Sequence, residues 1–250
     1  MKGWLAYAVA VGLAGAGLWL SVGLGMPQLL LFGAGLVGLV GIAAETFAEQ
    51  PDSPELGDHS LAFSLWGSPG LVVVAGLWVT RLAPADSLLP TDVGFAALLG
   101  ILLLTLRAGL RPKGGFNRAA RFVTNLITFL VAFLLFTLIY HTKERSLVTA
   151  TAMGLVALAA ALEILRPSQP EQTSGLRLPA LAALIVAETT WALNYWPVGG
   201  LIGGAVLLLT FYVFSGLLLA VQEGGVDRRI VMEYGTVGVV GLLAVAWTMP

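Results

Sequence analysis

Nine stretches of this chain run for about 20 residues with almost no charge, the length an α-helix needs to cross the roughly 30 Å hydrocarbon layer of a bilayer. Cut at charges and at Pro/Gly turns, they fall at 3–24, 28–47, 61–82, 93–110, 119–140, 147–165, 178–195, 198–221 and 230–248. Together they consume the chain and leave no room for a soluble domain between them. Composition agrees: 58% of the 250 residues are hydrophobic and 11% charged, too little polar surface to coat a water-soluble globule of this size. The runs are continuously apolar and do not alternate, which argues for helices and against a spanning β-barrel.

The expected fold is therefore an all-α integral membrane protein, a polytopic bundle of about nine transmembrane helices forming one domain over residues 1–250. The count falls to eight if 61–82 is re-entrant, because Gly67, Ser68, Pro69 and Gly70 interrupt that run. The first run, preceded by Lys2, has the look of a signal peptide but exceeds the usual 7 to 15 residues of a cleaved apolar region, so a retained helix is expected.

Charge placement sets the orientation. With nine spans and the 107–122 connection inside, Lys2, Arg107, Arg111, Lys113, Arg118, Arg121, Arg166, Arg177, Arg228 and Arg229 are cytoplasmic, against Arg81, Lys143 and Arg145 outside. A multi-pass protein of the cell membrane follows, with N-terminus in and C-terminus out. If 61–82 does not cross, only the part before it flips. The 45–60 connection carries Glu45, Glu49, Asp52, Glu55 and Asp58 and no Lys or Arg, which leaves its side open. It lacks the glycine hinge and ligand spacing of an EF-hand and reads as a solvated acidic turn.

Several chemistries are excluded by what is missing. There is no cysteine, hence no disulfide, thiolate nucleophile or cysteine-ligated cluster. His59 and His141 stand too far apart in the chain to suggest a zinc site, and no metal site is expected. No Gly-x-Ser-x-Gly elbow, His-Glu-x-x-His or Walker loop occurs. Asp52, Asp58, Asp86, Asp92 and Asp227 all read as loop or span-end residues, so a pair of intramembrane aspartates is absent too. These gaps weigh against an enzyme, and no cofactor or nucleic-acid partner is indicated.

One residue stands out against the apolar background. Glu188 falls near the middle of the seventh span with no Lys or Arg within a helical turn. An ionised carboxylate at that depth costs at least ~2.5 kcal/mol, so it should be protonated, paired across helices or facing water. Trp191 and Tyr195 lie on its face at helical spacing, with Asn194 beside them. The functional reading is a site for a proton or cationic group at Glu188, shaped by Trp191, Asn194 and Tyr195. The structural reading pairs Glu188 with Asn125, Tyr212 or a backbone carbonyl and makes the aromatics an interfacial belt.

A second group opens the fifth span, where Arg118, Arg121 and Asn125 share a face. They are candidates for contact with an anionic lipid headgroup or substrate, helped by Arg107, Arg111 and Lys113, and the plainer account is topology signalling with snorkelling side chains. Glu163 and Arg166 read as a structural ion pair at a helix end. Glycines at 33, 35, 38 and 41, and the overlapping pairs Gly199/Gly203 and Gly200/Gly204, allow close helix approach. That approach serves either the subunit's own packing or a homo-oligomer or membrane partner. The expected function is the handling of a small solute, ion or lipid through Glu188; the alternatives are a non-catalytic membrane subunit or scaffold and, third, a lipid-modifying enzyme.

Overall fold

The computed structural model describes residues 2–48, 59–109, 118–142, 146–166 and 175–247. Among them the chain forms nine α-helices and no strand: α1 (Lys2–Ser21), α2 (Met26–Ala48), α3 (His59–Leu82), α4 (Leu88–Gly109), α5 (Arg118–Thr142), α6 (Ser146–Ile164), α7 (Arg177–Leu193), α8 (Gly200–Gln222) and α9 (Arg228–Trp247), with a 3-10 turn at Ala85–Ser87 before α4. Seven of them, all but α3 and α7, are long and apolar enough to cross a membrane. α7, at 17 residues, rises about 26 Å.

Each expected run corresponds to one helix, and two local differences matter. α3 continues through Pro69 as one 24-residue helix, although proline removes one backbone donor. Ser68, Pro69 and Gly70 are buried there, with Gly70 facing Val37 of α2, so packing keeps the segment helical where propensity alone would break it. α4 begins at Leu88, five residues before the expected start, because the 3-10 turn feeds directly into it. Asp92 therefore lies in the opening turns of a helix, at a span end as expected, and is buried there instead of lying in a loop.

The chain divides into two compact units, Met1–Thr128 and Phe129–Pro250. In the first, α1 to α4 run up, down, up and down. α1 meets α4 antiparallel, with Gly15 against Ala96 and Gly100 against Tyr7 and Val11; α3 meets α4 where Gly76 lies against Phe95. Gly41 of α2 leaves room for the Trp66 indole, whose Nε1 donates to Glu45 Oε2 at 3.3 Å. Glu45 is thus a half-buried residue of α2, outside the solvated acidic turn to which it was assigned. Residues 49–58, the rest of that turn, lie outside the described residues.

In the second unit α6 packs along α7, where Gly154 lies 3.4 Å from Ala187 on the Cβ line. α8 lies against α7 and against the later part of α5, and α9 packs on α8. A Cβ at Gly203 or Gly204 would run into Tyr140 or Thr137 of α5, and one at Gly216 into Tyr234 of α9. These two glycines of the overlapping pairs therefore serve packing within the unit. The turn after α8 closes with Gly224 and Gly225 at positive φ, and the Gly225 N–H bonds the Ala220 carbonyl at 3.1 Å, a Schellman closure that needs glycine.

Candidate functional site

The register of α7 decides where Glu188 points. Ala183, Val186, Thr190 and Leu193, spaced three and four apart, are buried and fix the inward stripe of the helix. Glu188 is two positions from both Val186 and Thr190, about 200° round the helix from each, and it is exposed. Leu181, Leu184, Trp191 and Tyr195 are exposed as well, the last two at 45% and 77%. Among the described residues of its own unit Glu188 makes no hydrogen bond or ion pair, with Tyr212 or otherwise.

The four residues of the expected site are only partly brought together. Trp191 Nε1 donates to the Tyr195 hydroxyl at 3.4 Å, which links the two rings along the outward face. Asn194 turns the other way. It caps α7 through its backbone N–H, bonded to Thr190 O at 3.0 Å, and its half-buried side chain carries an Nδ2 with no partner. The arrangement is an open stripe of one carboxyl and two rings, not a walled pocket.

Arg118, Arg121 and Asn125 follow one another on α5 as the spacing requires. Arg118 is exposed, while Arg121 and Asn125 are half-buried, and the buried Asn125 Oδ1 has no hydrogen-bond partner. Arg107 is not a loop residue. It closes α4, and its guanidinium carbon sits 4.5 Å from the Phe47 ring centre and 5.5 Å from that of Trp4. Tyr7 packs on Phe47 at 5.2 Å. The cation thus sits among aromatic faces, an attraction of about 0.5–2 kcal/mol. Arg111 and Lys113 lie outside the described residues.

Three polar contacts went unforeseen or were underrated. Asp92 Oδ1 accepts from Thr80 Oγ1 at 2.8 Å. The Glu163–Arg166 pair, 2.9 Å apart, is buried to 1% and 5% side-chain exposure, deeper than a helix-end pair suggests. Thr124 Oγ1 bonds Thr105 Oγ1 at 2.9 Å, tying α5 to α4. No group of three or more His, Asp or Glu suited to a metal ion occurs among the described residues.

The family model of the protein of unknown function DUF5656 matches residues 16–248. The chain belongs to this family. No curated protein and no solved structure matches it. The DUF5656 match runs from within α1 to just past α9, so it takes in most of both compact units and leaves out the first 15 residues of the first.

Proposed function

We propose that this DUF5656 member is a nine-span protein of the cell membrane, N-terminus in and C-terminus out, in which Glu188 of α7 takes up a proton or a cationic group from a small solute, ion or lipid. One observation carries the reading: a mid-helix carboxyl directed outward among leucines and aromatics, with no partner among the described residues. In hydrocarbon such a group costs about 2.5–3.5 kcal/mol when ionised. Its retention is accounted for when a proton, a cation or a water-filled path reaches it. Trp191 and Tyr195 offer ring faces along the outward stripe, while the Asn194 amide, turned inward and buried at Nδ2, would need to swing out to join them. The continuity of α3 through Pro69 supports nine crossings over eight.

The absence of cysteine makes the topology directly testable, since single cysteines placed after α2 and after α3 report opposite sides to an impermeant maleimide if α3 crosses and the same side if it does not. For the site, a hydrophobic carbodiimide, which couples to protonated carboxyls, is expected to label Glu188 in membranes. Reconstituted wild type is expected to show a cation- or pH-gradient-driven flux that Glu188→Gln abolishes. An unlabelled Glu188 together with identical flux in wild type and Glu188→Gln overturns the proposal.

The scaffold reading has its own support. Among the described residues α9 has no buried side chain and no atom lies within 4 Å of a Cβ position at Gly35 or Gly38 on α2, which leaves apolar helix faces for a partner subunit. A stoichiometric partner retained in mild detergent, with Glu188→Gln silent in flux, favours it.

A further inference from the structure

The end of the first unit where α1 and α3 finish and α4 begins holds a second carboxylate with an unmet demand. Asp92 is 4% exposed. Its Oδ1 accepts from Thr80 Oγ1, itself 1% exposed, and its Oδ2 has no partner. A buried carboxylate oxygen left unpaired is among the more expensive features a fold can carry.

The surroundings follow from helix geometry. Gly76 of α3 lies against Leu18 of α1 at 3.0 Å and Phe95 of α4 at 3.2 Å, measured from its Cβ position, which defines one apolar layer. One turn further toward this end come Ser21, Thr80 and Asp92, at i+3, i+4 and i−3 from those residues, and all three are buried. Ser21 Oγ donates to the Leu18 carbonyl at 2.6 Å and Thr80 Oγ1 to Asp92, so both hydroxyls keep lone pairs. The last carbonyls of α1 and α3 end here as well, and helix C-termini carry partial negative charge. Among the described residues the other charges at this end are Arg81 and Asp86, both exposed; Arg81 Nη1 is turned to the Leu24 carbonyl at 3.3 Å. Asp92 thus has no cationic partner among the described residues.

We propose that Asp92, with Thr80 and Ser21, forms a binding site for a monovalent alkali cation between α1, α3 and α4. Hard cations take oxygen ligands of this kind, and divalent ions usually require further carboxylates that this layer does not supply. The site is independent of the reading given to Glu188.

The test uses the full chain purified in mild detergent, with unfolding followed by tryptophan fluorescence in NaCl, KCl, MgCl2 or choline chloride at matched ionic strength. An alkali cation is expected to raise the midpoint saturably over choline, since a ligand of the native state stabilises it by mass action. Asp92→Asn abolishes the rise, Glu188→Gln keeps it, and Thr80→Val moves the half-saturating concentration up at least ~10-fold. Line broadening of 23Na, displaceable by KCl, reads binding on the wild type directly, so the test stands even if Asp92→Asn does not fold. Equal midpoints and unbroadened 23Na in wild type, a response to MgCl2 alone, or a full response in Asp92→Asn overturns the proposal.

Discussion

The hydroxyl of Tyr140 in α5 donates a 2.7 Å hydrogen bond to the carbonyl of Leu193, the last residue of α7. That carbonyl belongs to the final turn, where an i+4 donor is missing; it also accepts from the Trp196 N–H at 2.9 Å, so Tyr140 fills its second lone pair. The bond is buried, and the Tyr140 ring lies against Gly203 of α8, so one side chain fixes the end of α7 from which Asn194 and Tyr195 project. Tyr140→Phe keeps the ring and removes the bond. An average membrane interhelical bond is worth about 0.6 kcal/mol, so the expected loss in apparent unfolding midpoint is about 1–3 °C, measured by scanning fluorimetry in detergent.

Glycine substitutions should separate faces that are occupied from those that are open. At Gly204 a methyl group meets the Thr137 backbone, with N at 2.9 Å and Cα at 2.8 Å. Backbone cannot rotate away as a side chain tip can, so Gly204→Ala must part α8 from α5. Overpacking of this kind costs about 1–3 kcal/mol. Gly38→Ala, with nothing near it, is expected to leave the midpoint of the isolated chain unchanged. Size-exclusion monodispersity and midpoint for the two variants check the contrast.

Helix positions were legible in the sequence because span length and charge are local properties, and each expected run matches one helix. The face that Glu188 presents follows from the Ala183, Val186, Thr190 and Leu193 periodicity, but the outward Leu181, Leu184 and Trp191 are as apolar as the inward stripe, so hydropathy does not distinguish the faces. Asp92 was missed for a different reason. Pro90 and Thr91 mark a helix start by local chemistry, and only the packing of Thr80 opposite shows that the aspartate is enclosed. The depth of Glu163 and Arg166 is likewise tertiary, since an i,i+3 pair looks the same whether it is solvated or buried.

Arg107 gives a test of the aromatic cage. Its guanidinium lies over Phe47 and near Trp4, and Gly3 leaves room for Nη1, which would stand 3.3 Å from a Cβ there. Arg107→Gln removes the charge while keeping much of the stem and is expected to cost about 1–2 kcal/mol. Combined with Trp4→Leu, the two losses should be sub-additive by about 0.5 kcal/mol or more, as contacting groups are. Strict additivity in denaturant titrations would show that the ring faces do not hold the cation.

Replacing Glu188 separates a site from a structural lock. The carboxyl makes no contact that the fold needs, so Glu188→Leu is expected to leave the midpoint within about 0.5 kcal/mol of wild type, or slightly above it in lipid, where an ionised acid is costly. Carbodiimide labelling and gradient-driven flux are lost in the same variant. A drop of several degrees with flux intact, read by fluorimetry and vesicle assay, points instead to a structural role.

The buried Glu163–Arg166 pair closes α6 and should behave unlike the outward Glu188. Both side chains lie out of solvent at 2.9 Å, and Arg166 stands just beyond the C-terminus of α6, where a cation complements the helix dipole. Removing one member takes the counter-charge from a group held in a low-dielectric interior, so Glu163→Leu alone and Arg166→Met alone are each expected to destabilise, by up to about 3–5 kcal/mol where no other neighbour compensates. The double variant removes both charges and replaces them with packed apolar volume, which should recover most of that loss. Apparent midpoints for the four members of the cycle give the coupling. A double variant as unstable as the sum of its singles would mean that each charge is held by other neighbours, and the pair would then contribute no more than proximity.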